Sequence, residues 1–388
     1  MKKIVIVTRR MVMGGIEKAL ISMLNSIPKD KYDVTVLVMG MGGELENEIP
    51  DHVKVECIYG YENTTVDKIW NYTKNGKFIL AVKTGWYTIL AKKTKNVFKQ
   101  EWYHSKFIPK VKSEYDLAIA YHVPASFPVV FVMNNIKAKS KIAWIHADVS
   151  QYVEELKPYN KFYEKYDKIF CVSENAKKQF NDLYPHLKEK TSIFYNLMDR
   201  EQMEKLVAEN NGFDDSFNGI RILTVGRLTK EKGHDLIPSI LIKLKEEGYR
   251  VRWYCIGDGD RRLELEHSIK QYGLEEYFIL LGTKTNPYPY IRQCDIYVQP
   301  SRHEGYCLSL AEARTFNKPI ITTDFFAARE QIENEQNGLI VNFDENEMYQ
   351  ALKTLINNQT LRTKFENNLK KNNVEMANEI KKVLDCVY

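Results

Sequence analysis

Short apolar runs alternate with longer mixed stretches along the whole chain. In the first half the runs are Ile4–Thr8, Val34–Val38, Val53–Cys57, Leu117–Tyr121, Ile142–Ile145, Ile169–Val172 and Ser192–Tyr195. In the second half they are Arg221–Gly226, Val251–Gly257, Phe278–Gly282, Ile296–Gln299, Pro319–Thr323 and Gly338–Val341. β-branched side chains recur in these runs, and a helical pattern follows each. Apolar strands of this kind, alternating with helices, are the mark of parallel sheets buried on both faces. Two such series predict two doubly wound, Rossmann-like α/β domains. The 388 residues also exceed what one hydrophobic core holds, about 250–300 residues. The polar stretch Asp199–Gly219 joins the series, after a short helix near Arg200–Ala208. The expected domains are therefore 1–198 and 199–372.

Composition narrows the classes. The longest apolar run, Val123–Met133, is broken by Pro124 and Pro128 and is too short to span a bilayer. The start, Met1-Lys-Lys followed by Ile4–Val7, reads as a first strand rather than a signal peptide. Six cysteines lie far apart with no CxxC pair, which fits reduced thiols in a cytoplasmic protein and no structural zinc. The net charge of +5 gives no global field for nucleic acid. Locally the picture differs. From Lys68 to Lys112 there are eleven lysines against one acid, Glu101, a charge of +10 that leaves −5 over the rest. Aromatic residues are interleaved there, among them Trp70, Phe78, Trp86, Phe98, Trp102 and Phe107. A basic face with Trp and Phe suits an anionic membrane surface, with Lys92, Lys93, Lys95, Trp86 and Trp102 as candidate contacts. The alternatives are a solvated helical region whose aromatics pack inward, and stacking on a nucleic-acid strand. The membrane is the preferred partner, and nucleic acid is not expected.

Candidate chemistry collects at strand ends. In Gln299-Pro-Ser-Arg-His-Glu304-Gly-Tyr-Cys-Leu-Ser309-Leu-Ala-Glu312, a buried strand stops at Pro300 and a helix begins near Leu308. The amides of Tyr306, Cys307, Leu308 and Ser309 then form a helix N-terminus suited to a diphosphate. Glu304 and Glu312 could accept hydrogen bonds from sugar hydroxyls, although Glu312 also suits the helix dipole. In Gly226-Arg227-Leu-Thr-Lys230-Glu-Lys232-Gly233-His-Asp, Arg227 and Lys232 follow another strand. They would clamp a diphosphate, or simply belong to a basic surface loop. After the first strand, Gly14, Gly15 and Glu17 open a helix, either a phosphate approach or a tight turn. His146 closes the strand Ile142–Ile145 as a ligand contact or a satisfied edge residue. Asp258-Gly-Asp260 reads as a turn after Gly257 rather than a metal pair.

In order along nearly the whole chain, these pieces resemble the retaining GT-B glycosyltransferases of family four. That group includes bacterial capsule, exopolysaccharide and teichoic-acid sugar transferases. The resemblance rests on Gly14-Gly15-x-Glu17, Trp144-Ile-His146, Val172-Ser173-Glu-Asn-Ala-Lys and Tyr195-Asn196-x-x-Asp199. It continues in Gly226-Arg-Leu-x-x-Glu-Lys-Gly233, Gly257-Asp-Gly259, Asn286-Pro-Tyr-Pro-Tyr290, and Glu304 with Glu312. It implies two Rossmann-like domains facing across a cleft, with residues 373–388 packing back on the first. It implies a catalytic set of Glu304, His146, Arg227 and Lys232. The implied donor contacts are Gly14, Gly15, Glu17, Asn196, Gly226, Gly257, Tyr306, Cys307, Leu308, Ser309 and Glu312. The implied reaction moves a sugar, with retention, from a nucleotide-sugar (UDP in first place) to a glycan or lipid-linked acceptor. It needs no metal or other cofactor. The expected location is the inner face of the cell membrane. The rivals are a nucleotide-sugar 2-epimerase and a non-catalytic sugar-nucleotide-binding partner of a transferase complex.

Overall fold

Runs of Val and Ile with nothing polar between them leave no strand face for water, so such strands belong inside a sheet covered on both sides. The computed structural model describes residues 1–59, 65–371 and 376–387. In it the first sheet holds β1 (Lys2–Thr8), β2 (Tyr32–Val38), β3 (Lys54–Cys57), β4 (Glu114–Ala120), β5 (Lys137–Ile145), β6 (Lys168–Cys171) and β7 (Thr191–Ile193). Their spatial order is β3-β2-β1-β4-β5-β6-β7, with β1 paired in parallel to both β2 and β4. The second sheet holds β8 (Ile220–Val225), β9 (Val251–Ile256), β10 (Phe278–Gly282), β11 (Ile296–Gln299), β12 (Ile320–Thr323) and β13 (Leu339–Val341). Its order, β10-β9-β8-β11-β12-β13, repeats the same winding. All thirteen expected strands are present, and both domains are Rossmann-like as expected. The largest shift of an end is at β5, which starts five residues early at Lys137.

The chain divides into one unit of Met1–Leu197 with Ala377–Tyr388, and a second of Met198–Met376. The first division falls one residue before the expected one, and the expected boundary at 372 lies outside the described residues. The helix Met376–Leu384 is fixed to the first unit by polar contacts. Glu379 accepts the Tyr195 amide at 2.9 Å, and Lys382 donates to the Ile193 carbonyl at 3.1 Å, just past β7. In the second unit the side-chain alternation of strands sorts neighbours onto two cores. Ile222, Trp253 and Val298 pack on one face, while Leu223, Tyr254 and Tyr297 pack on the other.

In the first unit α1 (Gly15–Ser26) follows β1. Between β3 and β4 the basic stretch forms α2 (Thr65–Lys74), α3 (Phe78–Lys93) and α4 (Val97–Phe107). α4 rests on α5 (Phe127–Asn135), where buried Asn135 donates to the carbonyls of Ser105 and Ile108 at 3.0 and 2.9 Å. Phe98 stands edge-on to Tyr159, with ring centroids 4.9 Å apart. Trp102 packs against the same core with Lys106 over its ring. Trp102, expected as a surface contact, is thus half-buried and packs partly on the core.

Glu101, the one acid of the basic stretch, is buried and accepts a hydrogen bond from the Tyr159 hydroxyl. Burial raises its pKa from 4.5 to about 7, opposed by the Tyr159 bond and the Arg9 charge. Between those two values the unfolded chain releases a proton that the native state retains, so this group's contribution to stability falls as pH rises through the window. Glu101→Gln keeps the shape and removes the proton. The stability gap between variant and native protein should grow in the variant's favour from about pH 4.5 to pH 7 and level off above about pH 8. Thermal unfolding across pH measures it, and a gap that does not change with pH would refute the assignment.

Candidate functional site

In a doubly wound sheet the connections leave in opposite directions from two adjacent central strands, which opens a crevice at their carboxyl ends. In the second unit those strands are β8 and β11, paired through Ile222 and Ile296. The Gly226-Arg227 loop follows one, and the Pro300–Cys307 loop follows the other.

The two loops are fastened together. Gly233 adopts φ +71°, and a Cβ there would lie 1.8 Å from the Pro300 carbonyl oxygen. Only glycine allows that conformation and that approach. The Arg302 amide donates to the Glu231 carbonyl at 2.7 Å, and its guanidinium donates to the Lys230 carbonyl at 2.6 Å. The same guanidinium holds both oxygens of Asp235, at 2.7 and 2.6 Å. At the end of β9, Gly257 sits at φ +144°, where a Cβ would lie 2.0 Å from the Gly226 carbonyl oxygen. The Lys232 stem runs along Gly226.

The result is an ion pair at the crevice. The Lys232 ammonium lies 2.5 Å from Glu304 Oε1, with only 16% and 9% of the two side chains exposed. Burial works against the Lys232 charge, but the Glu304 carboxylate and its neighbours outweigh it and hold its pKa above that of an ordinary lysine. Glu304 is fixed from behind as well. The Ser301 hydroxyl donates to the same oxygen at 2.8 Å, and Gln299 Nε2 donates to Ser301 at 2.8 Å. Gln299 Oε1 in turn accepts from Tyr297 at 2.8 Å and from Ser309 at 3.2 Å. Gln299 and Ser301 were not among the candidate residues. Their signal was a fully polar side chain ending an otherwise apolar strand.

The other candidates take different positions. Arg227 is mostly exposed, with Glu231 at 3.5 Å. The two expected clamp cations are thus unlike, one buried against Glu304 and one exposed beside Glu231. Glu312 is buried in the helix Leu308–Thr315, where Tyr288 donates to it at 3.2 Å. A solvated helix-dipole residue would not be buried. Cys307, just before that helix, sits at φ +68° and ψ +80°, a conformation costing a non-glycine residue about 1–2 kcal/mol. Its thiol is buried, which raises its pKa. Gln331 donates to the carbonyls of Tyr306 and Cys307 on one side of this bend. The amides of Leu308 and Ser309 belong to the first helical turn, whose N–H groups have no partner within the helix.

In the first unit the matching edge is formed by the ends of β1, β4 and β5. His146 packs 4.3 Å from the Tyr121 ring, and its Nε2 has no partner among the described residues. Burial, helped by His122, depresses its pKa far below that of a free imidazole. His122 is likewise pushed down to about 3 by burial and by Arg9. Both imidazoles are neutral at ordinary pH, so they can bond hydroxyls without carrying charge. Arg9 and His122 were not among the candidates, although each lies within two residues of a strand's end. Gly14 and Gly15 begin α1, and buried Glu17 turns its carboxylate back toward Gly14. Asn196 follows β7, and its Oδ1 is unpaired among the described residues. No group of three or more His, Cys, Asp or Glu able to hold a metal ion occurs among the described residues.

Residues 214–372, within the second unit, match the family described as glycosyl transferases group 1. The chain is 33% identical over 210 residues to N-acetylgalactosamine-N,N'-diacetylbacillosaminyl-diphospho-undecaprenol 4-alpha-N-acetylgalactosaminyltransferase of Campylobacter jejuni, covering 53% of this chain and 56% of that protein. It is 29% identical over 185 residues to the capsular polysaccharide biosynthesis glycosyltransferase CapM of Staphylococcus aureus, covering 44% of this chain and 47% of that one. The chain thus spans about half the length of the curated relatives it matches. Among solved structures it resembles Anabaena HepE in complex with UDP-glucose, with TM-score 0.71 and 17% identity, covering 99% of this chain and 100% of that one. It also resembles a variant of S. aureus TarM in complex with fondaparinux, alpha-GlcNAc-glycerol and UDP, with TM-score 0.72 and 14% identity over all of both chains. At such identities these two likenesses concern the fold.

The seating of Gly233 against Pro300 makes its own prediction. Gly233→Ala forces a side chain into a left-handed backbone and against a carbonyl, at a cost of about 3 kcal/mol. The thermal midpoint of the second unit should fall by roughly 5–10 °C. Calorimetry on the purified variant checks this, and an unchanged midpoint would mean that the loop is not held as described.

Proposed function

We propose that this chain, a family-four type glycosyltransferase of the GT-B fold, moves a sugar from a nucleotide-sugar to a glycan or lipid-linked acceptor in bacterial surface polysaccharide synthesis. A UDP-sugar is the donor of choice, and the anomeric configuration is retained. The observation that carries the reading is the Lys232–Glu304 pair at the crevice of β8 and β11, next to the first turn of the helix Leu308–Thr315. The UDP complexes of its structural neighbours support the choice of donor. The Campylobacter relative, named for transfer to a diphospho-undecaprenol-linked sugar, supports a lipid-linked acceptor.

The chemistry follows from charge. When the bond between sugar and diphosphate breaks, negative charge builds on the leaving phosphate oxygens. Exposed Arg227 can turn its fork onto those oxygens, and Lys232 adds a fixed cation. The amides of Leu308 and Ser309 add two donors. Glu304, oriented by Ser301 and Gln299, accepts hydrogen bonds from hydroxyls of the transferred sugar. Lys232 holds that carboxylate in place. In this reading Glu312 bonds the ribose. With this inventory the leaving charge is met by side chains and amides, and no metal is required.

A hydrolysis screen tests the proposal. With EDTA present, one of UDP-glucose, UDP-galactose, UDP-N-acetylglucosamine and GDP-mannose should release its nucleotide slowly. Glu304→Gln should lower that rate about 100-fold or more. Arg227→Ala should raise the donor KM by about 10–100-fold, as expected for losing a charged hydrogen bond. Proton NMR of the released sugar should first show the donor's own anomer. Release that depends on added divalent metal, or that Glu304→Gln leaves intact, would overturn the mechanism.

A further inference from the structure

A helix lying on a protein surface normally turns its large apolar residues inward and its small or polar ones outward. α3 departs from that pattern. Its buried residues are Ala81, Thr84 and Ala91, two alanines and a threonine. Of its large residues Leu80, Tyr87 and Leu90 are half-buried, while Ile79, Val82, Trp86 and Ile89 are 52–83% exposed. Their spacing of three, four and three residues puts them on a single stripe. Phe78 is exposed at the start of the same helix. On neighbouring α2, Val66 and Trp70 lie one turn apart and are more than 70% exposed.

Charge surrounds this apolar surface. Lys83 and Lys93 fall on the stripe's own side of α3, while Lys74, Lys77, Lys92 and Lys95 mark its two ends, and all six are exposed. Asp67 is the one exposed acid on α2 and α3, and Glu101 on α4 is buried. The stretch from Lys68 to Lys112 therefore presents nearly all of its +10 to solvent.

We propose that α2 and α3 form a membrane-docking surface on which the α3 stripe lies in the interfacial layer of an anionic bilayer, with its lysines on the lipid headgroups. Each half of the surface needs that partner. An apolar stripe of this size seeks a non-aqueous phase, and the lysines seek a dense negative plane. A second copy of the chain would bring the same positive face against itself. A nucleic-acid strand would meet the charge and could stack on Trp70, Phe78 and Trp86, but it would leave the aliphatic Val66, Ile79, Val82 and Ile89 in water. This inference rests on the surface and not on the sugar-transfer reading, so either can fail without the other.

The test is flotation of the full chain with vesicles of phosphatidylcholine alone and of phosphatidylcholine with 30% phosphatidylglycerol, chosen as a simple anionic probe. Binding to the anionic vesicles should be at least about tenfold stronger than to the neutral ones, and should weaken in high salt. Val82→Glu with Trp86→Glu, both at exposed positions, should leave the circular dichroism and thermal midpoint unchanged and lower vesicle binding at least about tenfold. Lys83→Glu with Lys93→Glu should remove the preference for anionic lipid. Failure of the native chain to float would overturn the proposal, as would equal binding by the Val82/Trp86 variant. Two further results would also overturn it. One is a single-stranded oligonucleotide that displaces the chain from vesicles yet binds the Val82/Trp86 variant normally. The other is a native dimer, seen by light scattering, that the same variant converts to monomer.

Discussion

Two opposite charges brought out of water are costly unless they meet at good geometry and the rest of each group is also satisfied. The Lys232–Glu304 pair meets that condition, and much of the second unit's upper edge is arranged so that it can. Glu304 Oε1 takes the ammonium and the Ser301 hydroxyl together, and Ser301 is held by Gln299. Gln299 ends a fully buried strand and is itself held from two sides. The lysine reaches this point only because its turn is pressed against the neighbouring loop. That closeness requires a glycine at 233 and is locked by the bidentate Arg302–Asp235 contact. The sheet order makes the two loops neighbours in the first place.

Both sheets are wound alike, yet their carboxyl edges carry different electrostatics. In the second unit the edge holds formal charges, one paired and one exposed, beside the start of a helix. In the first unit the edge holds two imidazoles kept neutral chiefly by burial, with Arg9 adding to the effect at His122 and His122 to that at His146. Fixed charge suits a ligand group that is itself charged and must be stabilised as it departs. Neutral imidazoles suit hydroxyl groups, where a full charge would add little direction and a large desolvation cost. The two edges thus differ in their polar chemistry, although both sheets are wound alike.

The elements were legible because continuous apolar runs leave a buried parallel strand as the only comfortable arrangement, and the motifs fell at the ends of those runs. The site was legible in part. That Arg227, Lys232 and Glu304 follow adjacent strands is readable from order along the chain. That Lys232 pairs with Glu304 while Arg227 stays exposed is not, because the loop contact at Gly233 decides it. Gln299 and Ser301 escaped notice because a polar residue at a strand end usually means only that the strand is ending. His122 and Arg9 escaped for a related reason. Each belongs to no recognisable motif, and only the pairing of β1 with β4 and of β4 with β5 brings them toward His146.

The basic stretch shows the limit of composition most directly. Counting aromatics put Trp86 and Trp102 in one class, but packing separates them. α4 presents Phe98 and Phe107 to the core, and Trp102 goes in with them beneath Lys106. α3 is apolar almost all the way round, so no periodicity in its sequence marks an inner face. Side-chain size decides instead. The face with Ala81, Thr84 and Ala91 can come close to the neighbouring helices. A face carrying Ile79, Val82 and Trp86 would hold them apart, so it is turned outward. The large residues are left exposed by that choice, and the aliphatic ones, which the aromatic count passed over, complete the stripe. A surface of this kind persists in a folded protein only where its exposure is tolerable, and the surrounding lysines supply solubility until a partner covers it.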